Sequence, residues 1–155
     1  MKKYSNTTEL RQSIVEGINI LADNVAATLG PKGQNVIIQY KGDPPFVTKD
    51  GVTVAKFVNL DDPFQNAAVE ILKQASLQTN IEAGDGTTTA TVLARSIINE
   101  GQKYITSGVS PIELKRGMDK TCDAIVRNLE KNARPIQSLE DIQHIARISA
   151  NNDKM

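Results

Sequence analysis

Cysteine, tryptophan and net charge are what this chain has least of, and each shortage excludes something. A single cysteine, Cys122, cannot close an internal disulfide, so a disulfide-stapled scaffold is ruled out and a reducing, cytosol-like compartment is expected. With no Trp, three Phe and three Tyr, the core must be built from Ile, Leu, Val and Ala, which favours helix packing. Eighteen basic residues balance eighteen acidic ones, and no Lys/Arg block stands out, so nothing in the chain announces nucleic acid or an anionic membrane as a partner. No apolar run approaches the ~18 residues of a membrane span. Met1-Lys2-Lys3-Tyr4-Ser5 leads into a polar stretch rather than a signal-peptide core, so a soluble cytoplasmic protein is the expectation, and the Asn6-Thr7-Thr8 sequon means little in that setting.

What is present is helical periodicity. Leu10, Ile14, Ile18, Leu21, Val25 and Leu29 recur at three- or four-residue spacing, which predicts a helix from about Thr7 to Leu29, ended by Gly30-Pro31. Asn35 to Gln39 and Phe46 to Thr48 read as a small hairpin across Lys41-Gly42-Asp43-Pro44-Pro45, and a short strand or helix follows Gly51. Asp62-Pro63 opens a helix to Ala83 with Phe64, Ala68, Ile71, Leu72 and Ala75 facing inward. The next helix, Thr87 to Ser107, carries Val92, Leu93, Ile97, Ile98 and Ile105. Ser110-Pro111-Ile112-Glu113 has the residues of a capping box and begins a helix to about Ala133 on Leu114, Met118, Cys122, Ile125 and Leu129, which makes Cys122 a core residue. After Pro135, Ser138 starts a last helix bearing Ile142, Ile145, Ala146 and Ile148. Long helices with one hairpin and no parallel-sheet partner predict a mainly α domain. His144 has no neighbouring Cys or His and reads as structural.

Three loops could carry chemistry. The run Gly84-Asp85-Gly86-Thr87-Thr88-Thr89 places a carboxylate and hydroxyls at the start of a long helix, where unpaired amides and roughly half a positive charge favour an anion. Asp85 would repel a phosphate unless a hard cation such as Mg2+ lay between them. Thr28-Leu29-Gly30-Pro31-Lys32-Gly33 and Thr48-Lys49-Asp50-Gly51 likewise join turn formers to polar groups at element boundaries. Taken singly, each also reads as a turn, a helix stop or a cap. If they meet, they form a set of parts for a nucleoside triphosphate, with Asp85 on the metal and Asp50 placed to orient water. No Walker A pattern is present, so such a site is of another type.

Taken together and in order, these residues resemble the group I chaperonins, the family of the bacterial chaperonin and its mitochondrial and plastid relatives. The resembling blocks are Gly17 to Val25, Thr28 to Val36, Thr48 to Ala55, Ala83 to Thr91, Leu114-Lys115-Arg116-Gly117-Met118-Asp119 and Ile148-Ser149-Ala150-Asn151. They span nearly the whole chain.

The resemblance implies the N-terminal part of the equatorial ATP-binding domain over residues 1–135, with residues 136–155 as a last equatorial helix and the start of a hinge. The fold expected is thus an equatorial-domain-like helical bundle with a small hairpin, an incomplete domain. By the same resemblance Thr28, Leu29, Gly30, Pro31, Lys49, Asp85, Gly86, Thr87, Thr88 and Thr89 surround ATP, and Asp85 is the Mg2+ ligand. Backbone oxygens of Thr28 and Lys49 are candidates for K+, and Asp50 lies near the terminal phosphate as the catalytic candidate. The principal hydrolytic aspartate of the family has no counterpart here. The implied function is ATP-driven folding by a homo-oligomeric ring with a co-chaperonin, with unfolded clients held by an apical domain outside these residues. No nucleic acid or membrane is expected, and a bacterium or a virus infecting bacteria is the expected setting. The alternative is an interaction module that assembles with or modulates chaperonin rings without ATP turnover.

Overall fold

Short polar side chains set where the helices begin. In the computed structural model, which describes residues 6–39 and 42–149, Asn6 opens α1 (Thr7–Ala26) by accepting from the amides of Thr8 at 3.0 Å and Glu9 at 2.9 Å. The leading segment 1–5, Lys41 of the hairpin connection and the Ala150-Asn151 end of the last resembling block lie outside the described residues. Strands β1 (Val36–Ile38) and β2 (Phe46–Thr48) pair antiparallel, Ile37 opposite Val47. The segment after Gly51 is a helix, α2 (Gly51–Phe57), capped by Asp50. Asp62 caps α3 (Pro63–Ala83), accepting from Phe64 and Gln65 at 3.0 and 2.9 Å, with Pro63 in the first turn. Helices α4 (Thr87–Thr106), α5 (Pro111–Asn132) and α6 (Leu139–Ser149) complete a mainly helical chain with one small sheet, as the periodicity predicts. None of the described helices is long and apolar enough to cross a membrane.

Packing divides the chain into two units, one through Lys103 and one from Tyr104. In the first, α1 lies along α3 and α2 packs on both. Ile18, Leu21, Ala22 and Val25 of α1 meet Val54 and Ala55 of α2 and Ala68, Val69 and Leu72 of α3, with Ala94 and Ile98 of α4 packed against them. Burial of each larger side chain contributes about 1.5–3 kcal/mol relative to exposure. Helices α1 and α3 meet backbone to backbone at Gly17, where a Cβ would lie 2.3 Å from the carbonyl oxygen of Gln65. The Asn99 amide also donates to Asn19 at 2.8 Å, and Arg95 pairs with Asp23, tying α4 to α1.

Several inward assignments are overturned. Ile71 is 68% exposed and Ala75 is also exposed, because α3 turns Ala68, Val69, Leu72, Lys73 and Ser76 to the core. The Gly17 contact places α1 against the Gln65 side of α3, and Ile71 lies roughly 200° around the helix from Val69. On α4 the buried line is Thr87 and Thr91, continued by the packed Ala94 and Ile98, so Leu93 and Ile97 face outward. Helix α1 stops three residues early: Thr28 and Leu29 amides reach back only to Val25 and Ala26, at 3.1 and 3.0 Å, and Leu29 is exposed.

In the second unit α5 and α6 bury no residue. Cys122 is therefore exposed rather than core, as are Met118, Ile125 and Leu129 on the same stripe. An apolar stripe specifies a face that can be buried, and burial then needs a surface opposite it. Ser110 precedes α5 but makes no side-chain cap bond, so the capping box read from Ser110 and Glu113 does not form. The box forms instead before α6, where Asp141 accepts from the amides of Gln137 and Ser138 and the Asp141 amide donates to the Ser138 hydroxyl at 3.1 Å. These contacts, the Gln137 amide first and the Ser138 side chain next, hold the Asp141 carboxyl below its usual range. His144 is exposed.

Candidate functional site

The first loop follows the tightened end of α1. Gly30 takes φ 72°, and the chain folds back so that the Gly33 amide donates to Gly30 at 2.9 Å and the Gln34 amide to Ala27 at 2.7 Å. A Cβ at Gly33 would sit 2.3 Å from the Thr28 carbonyl oxygen. The Thr28 hydroxyl donates to the Val25 carbonyl at 2.8 Å, which fixes its oxygen with lone pairs still available. Leu29, Gly30 and Pro31 are exposed along the turn.

The second loop ends β2 and opens α2. The Asp50 amide donates to the Thr48 hydroxyl at 3.0 Å. The Asp50 carboxylate accepts from the Val52 amide at 3.3 Å, the Thr53 amide at 3.1 Å and the Thr53 hydroxyl at 2.5 Å. Asp50 is thus the N-cap of α2, a role signalled by Asp50 and Thr53 standing three apart before Val54 and Ala55. Lys49 beside it is exposed, with no ion pair among the described residues.

The third loop joins α3 to α4. Gly84 ends α3 in the left-handed conformation, its amide donating to Asn80 at 3.0 Å. The Gly86 amide donates to the Asp85 carboxylate at 2.6 Å, and Gly86 accepts the first intrahelical bond of α4, from the Ala90 amide at 2.8 Å. The amides of Thr87, Thr88 and Thr89 stand ahead of that bond, in the part of the helix that favours an anion. Thr87 and Thr91 are buried, with the Thr91 hydroxyl on the Thr87 carbonyl at 2.9 Å, while Thr88 is half-buried and Thr89 exposed.

These three loops meet at Gly51. A Cβ there would lie 2.1 Å from the Thr88 hydroxyl oxygen and 3.3 Å from that of Thr28, so one residue from each loop shares a single contact. Thr28 and Thr88 are brought together directly; Lys49, Asp50, Asp85, Gly86, Thr87, Thr89 and Leu29 to Pro31 flank the junction along the chain. Gly51 and Gly33 stand in the candidate loops read from the sequence but not among the residues expected to surround ATP. Their only signal was glycine placed next to a polar loop residue, and what they supply is absence of a side chain where backbones and hydroxyls converge. Chemically, the three loops offer two exposed lysines, Lys32 and Lys49, two exposed carboxylates, several hydroxyls and the amides of a helix start. No cluster of three or more His, Cys, Asp or Glu is found among the described residues.

A model of the TCP-1/cpn60 chaperonin family matches residues 21–155. The match takes in all three loops, the C-terminal end of α1 and every helix from α2 to α6. With most of its length accounted for in this way, the chain belongs to the TCP-1/cpn60 chaperonin family.

Proposed function

We propose that this chain is the ATP-binding part of a group I-type chaperonin subunit, equivalent to the N-terminal portion of an equatorial domain. Membership of a chaperonin family carries the role in assisted protein folding. The observation that carries the nucleotide reading is the Gly51 contact, which joins the Thr28, Asp50 and Thr88 loops at one point. In this reading the amides of Thr87 to Thr89 and the turn from Thr28 to Pro31 hold the phosphates, with Gly86 letting the main chain approach. Lys49 adds positive charge beside them. Asp85 holds Mg2+, which characteristically takes one or two carboxylates together with substrate phosphates and so needs no all-protein cage. Bound Mg2+ supplies charge neutralisation on the phosphates. Backbone oxygens of Thr28 and Lys49 would hold K+, and Asp50 orients water with lone pairs that its capping bonds leave over.

Ring assembly fits the exposed apolar side chains of the hairpin, Ile37, Phe46 and Val47, which sit on an open two-stranded sheet. Co-chaperonin and client contacts belong to other parts of such a subunit. The same exposed sheet favours the second reading, a module that joins rings without turning ATP over. Calorimetric titration with Mg-ATP, with and without chelator, tests the nucleotide reading. Wild type should bind only with Mg2+, and Asp85→Ala should weaken binding by at least about tenfold, ~1.4 kcal/mol. Failure of a folded wild-type chain to bind would leave the assembly reading standing alone.

A further inference from the structure

The one buried charge among the described residues of the first unit has no part in the nucleotide reading. Lys73 of α3 is 7% exposed, and its ammonium has three acceptors for three donors: Glu70 Oε1 at 2.7 Å, Asn59 Oδ1 at 3.4 Å and the Lys56 carbonyl oxygen at 3.5 Å. Two of the three lie at or just after the C-terminal end of α2. The Lys56 carbonyl is among those a helix end leaves without an intrahelical partner, and a cation there also meets the negative end of the helix dipole. The Leu60 amide donates to Asn66 Oδ1 at 2.9 Å, a second tether from the same segment to α3.

The opposite end of α2 is Asp50 and Gly51, against Thr28 and Thr88. Seven residues of helix span only about 10 Å, so holding one end constrains the other. We propose that Lys73 is a positioning residue: its ammonium clamps the C-terminal end of α2 to α3 and thereby holds Asp50 and Gly51 in the three-loop junction. The consequence for nucleotide rests on the reading of that junction as an ATP site; the clamp itself does not.

The test compares the full wild-type chain with Lys73→Met, which keeps an apolar stem and removes the charge, by hydrogen exchange and by Mg-ATP titration. Amides of Val52, Thr53 and Val54 should exchange roughly tenfold faster while those of Leu21, Ala22 and Val25 in α1 stay unchanged, and the Mg-ATP Kd should rise roughly tenfold. Faster exchange spread evenly over α1, α2 and α3 would overturn the proposal, since Lys73 would then support the unit as a whole. Unchanged exchange in α2 would overturn it too. Should Lys73→Met not fold, Asn59→Ala removes one acceptor and is read by the same two measurements, with a smaller change confined to α2 supporting the clamp and no change opposing it. A wild-type chain that binds no Mg-ATP removes the ATP-site reading, and the exchange comparison still decides whether Lys73 holds α2.

Discussion

Asp50 joins local structure to proposed chemistry within one side chain. Its carboxylate caps α2 through two amides and a hydroxyl, so the group that would orient water is also the group that starts the helix carrying it. Asp50→Ala should therefore cost stability as well as function, about 0.5–2 kcal/mol for a lost N-cap, seen as a lowered midpoint in denaturant unfolding. An unchanged midpoint would mean the cap contributes nothing in solution. Gly51→Ala should act the other way round. The added methyl must displace the Thr88 side chain at the junction, so Mg-ATP affinity should fall more than unfolding stability does. Asp141 gives a pH signature in the second unit. Its carboxyl is depressed in the folded chain, so its contribution is fully present above the usual carboxylate value near pH 4 and is lost as pH falls through the lower folded value. Helicity followed by circular dichroism should show an acid-range loss that Asp141→Asn reduces; an identical acid profile in the variant would contradict this.

At the scale of elements, Gly17 and Cys122 mark the limits of what periodicity can say. The long helices and the boundaries at Asp62-Pro63, Gly84 and Ser138 were legible, because those residues act locally and their partners lie within a few residues. Which side of each helix is buried was less so. Ile71 and Ala75 satisfy an apolar spacing as well as Val69 does, and the choice is made by Gly17 pressing on Gln65, a contact between residues far apart in sequence. Thr87 and Thr91 were missed as buried because hydroxyls carry no apolar signal, although Thr91 satisfies its own on the Thr87 carbonyl. The candidate loops were legible as loops; their meeting point was not, since it depends on Gly51 having no side chain. Gly17→Ala should destabilise the first unit by about 1–3 kcal/mol, because a methyl has to push backbone rather than a mobile side chain, and chemical denaturation would measure it. Cys122 should react with a thiol reagent in the native state nearly as fast as in denaturant. Slow native labelling would show that the α5 stripe is covered in solution.

For the molecule as a whole, family membership and the three-loop junction bear on different questions. The family assigns the chain to folding assistance, while the junction concerns how nucleotide would be held, and that lies entirely within the first unit. The exposed stripes of α5 and α6 lie in the second. The most direct test of the central claim is hydrogen exchange on the full chain with and without Mg-ATP. The account predicts added protection in residues 28–33, 49–54 and 84–91 together, and little change in α5 and α6. Protection absent from all three loops, or confined to one of them, would contradict it.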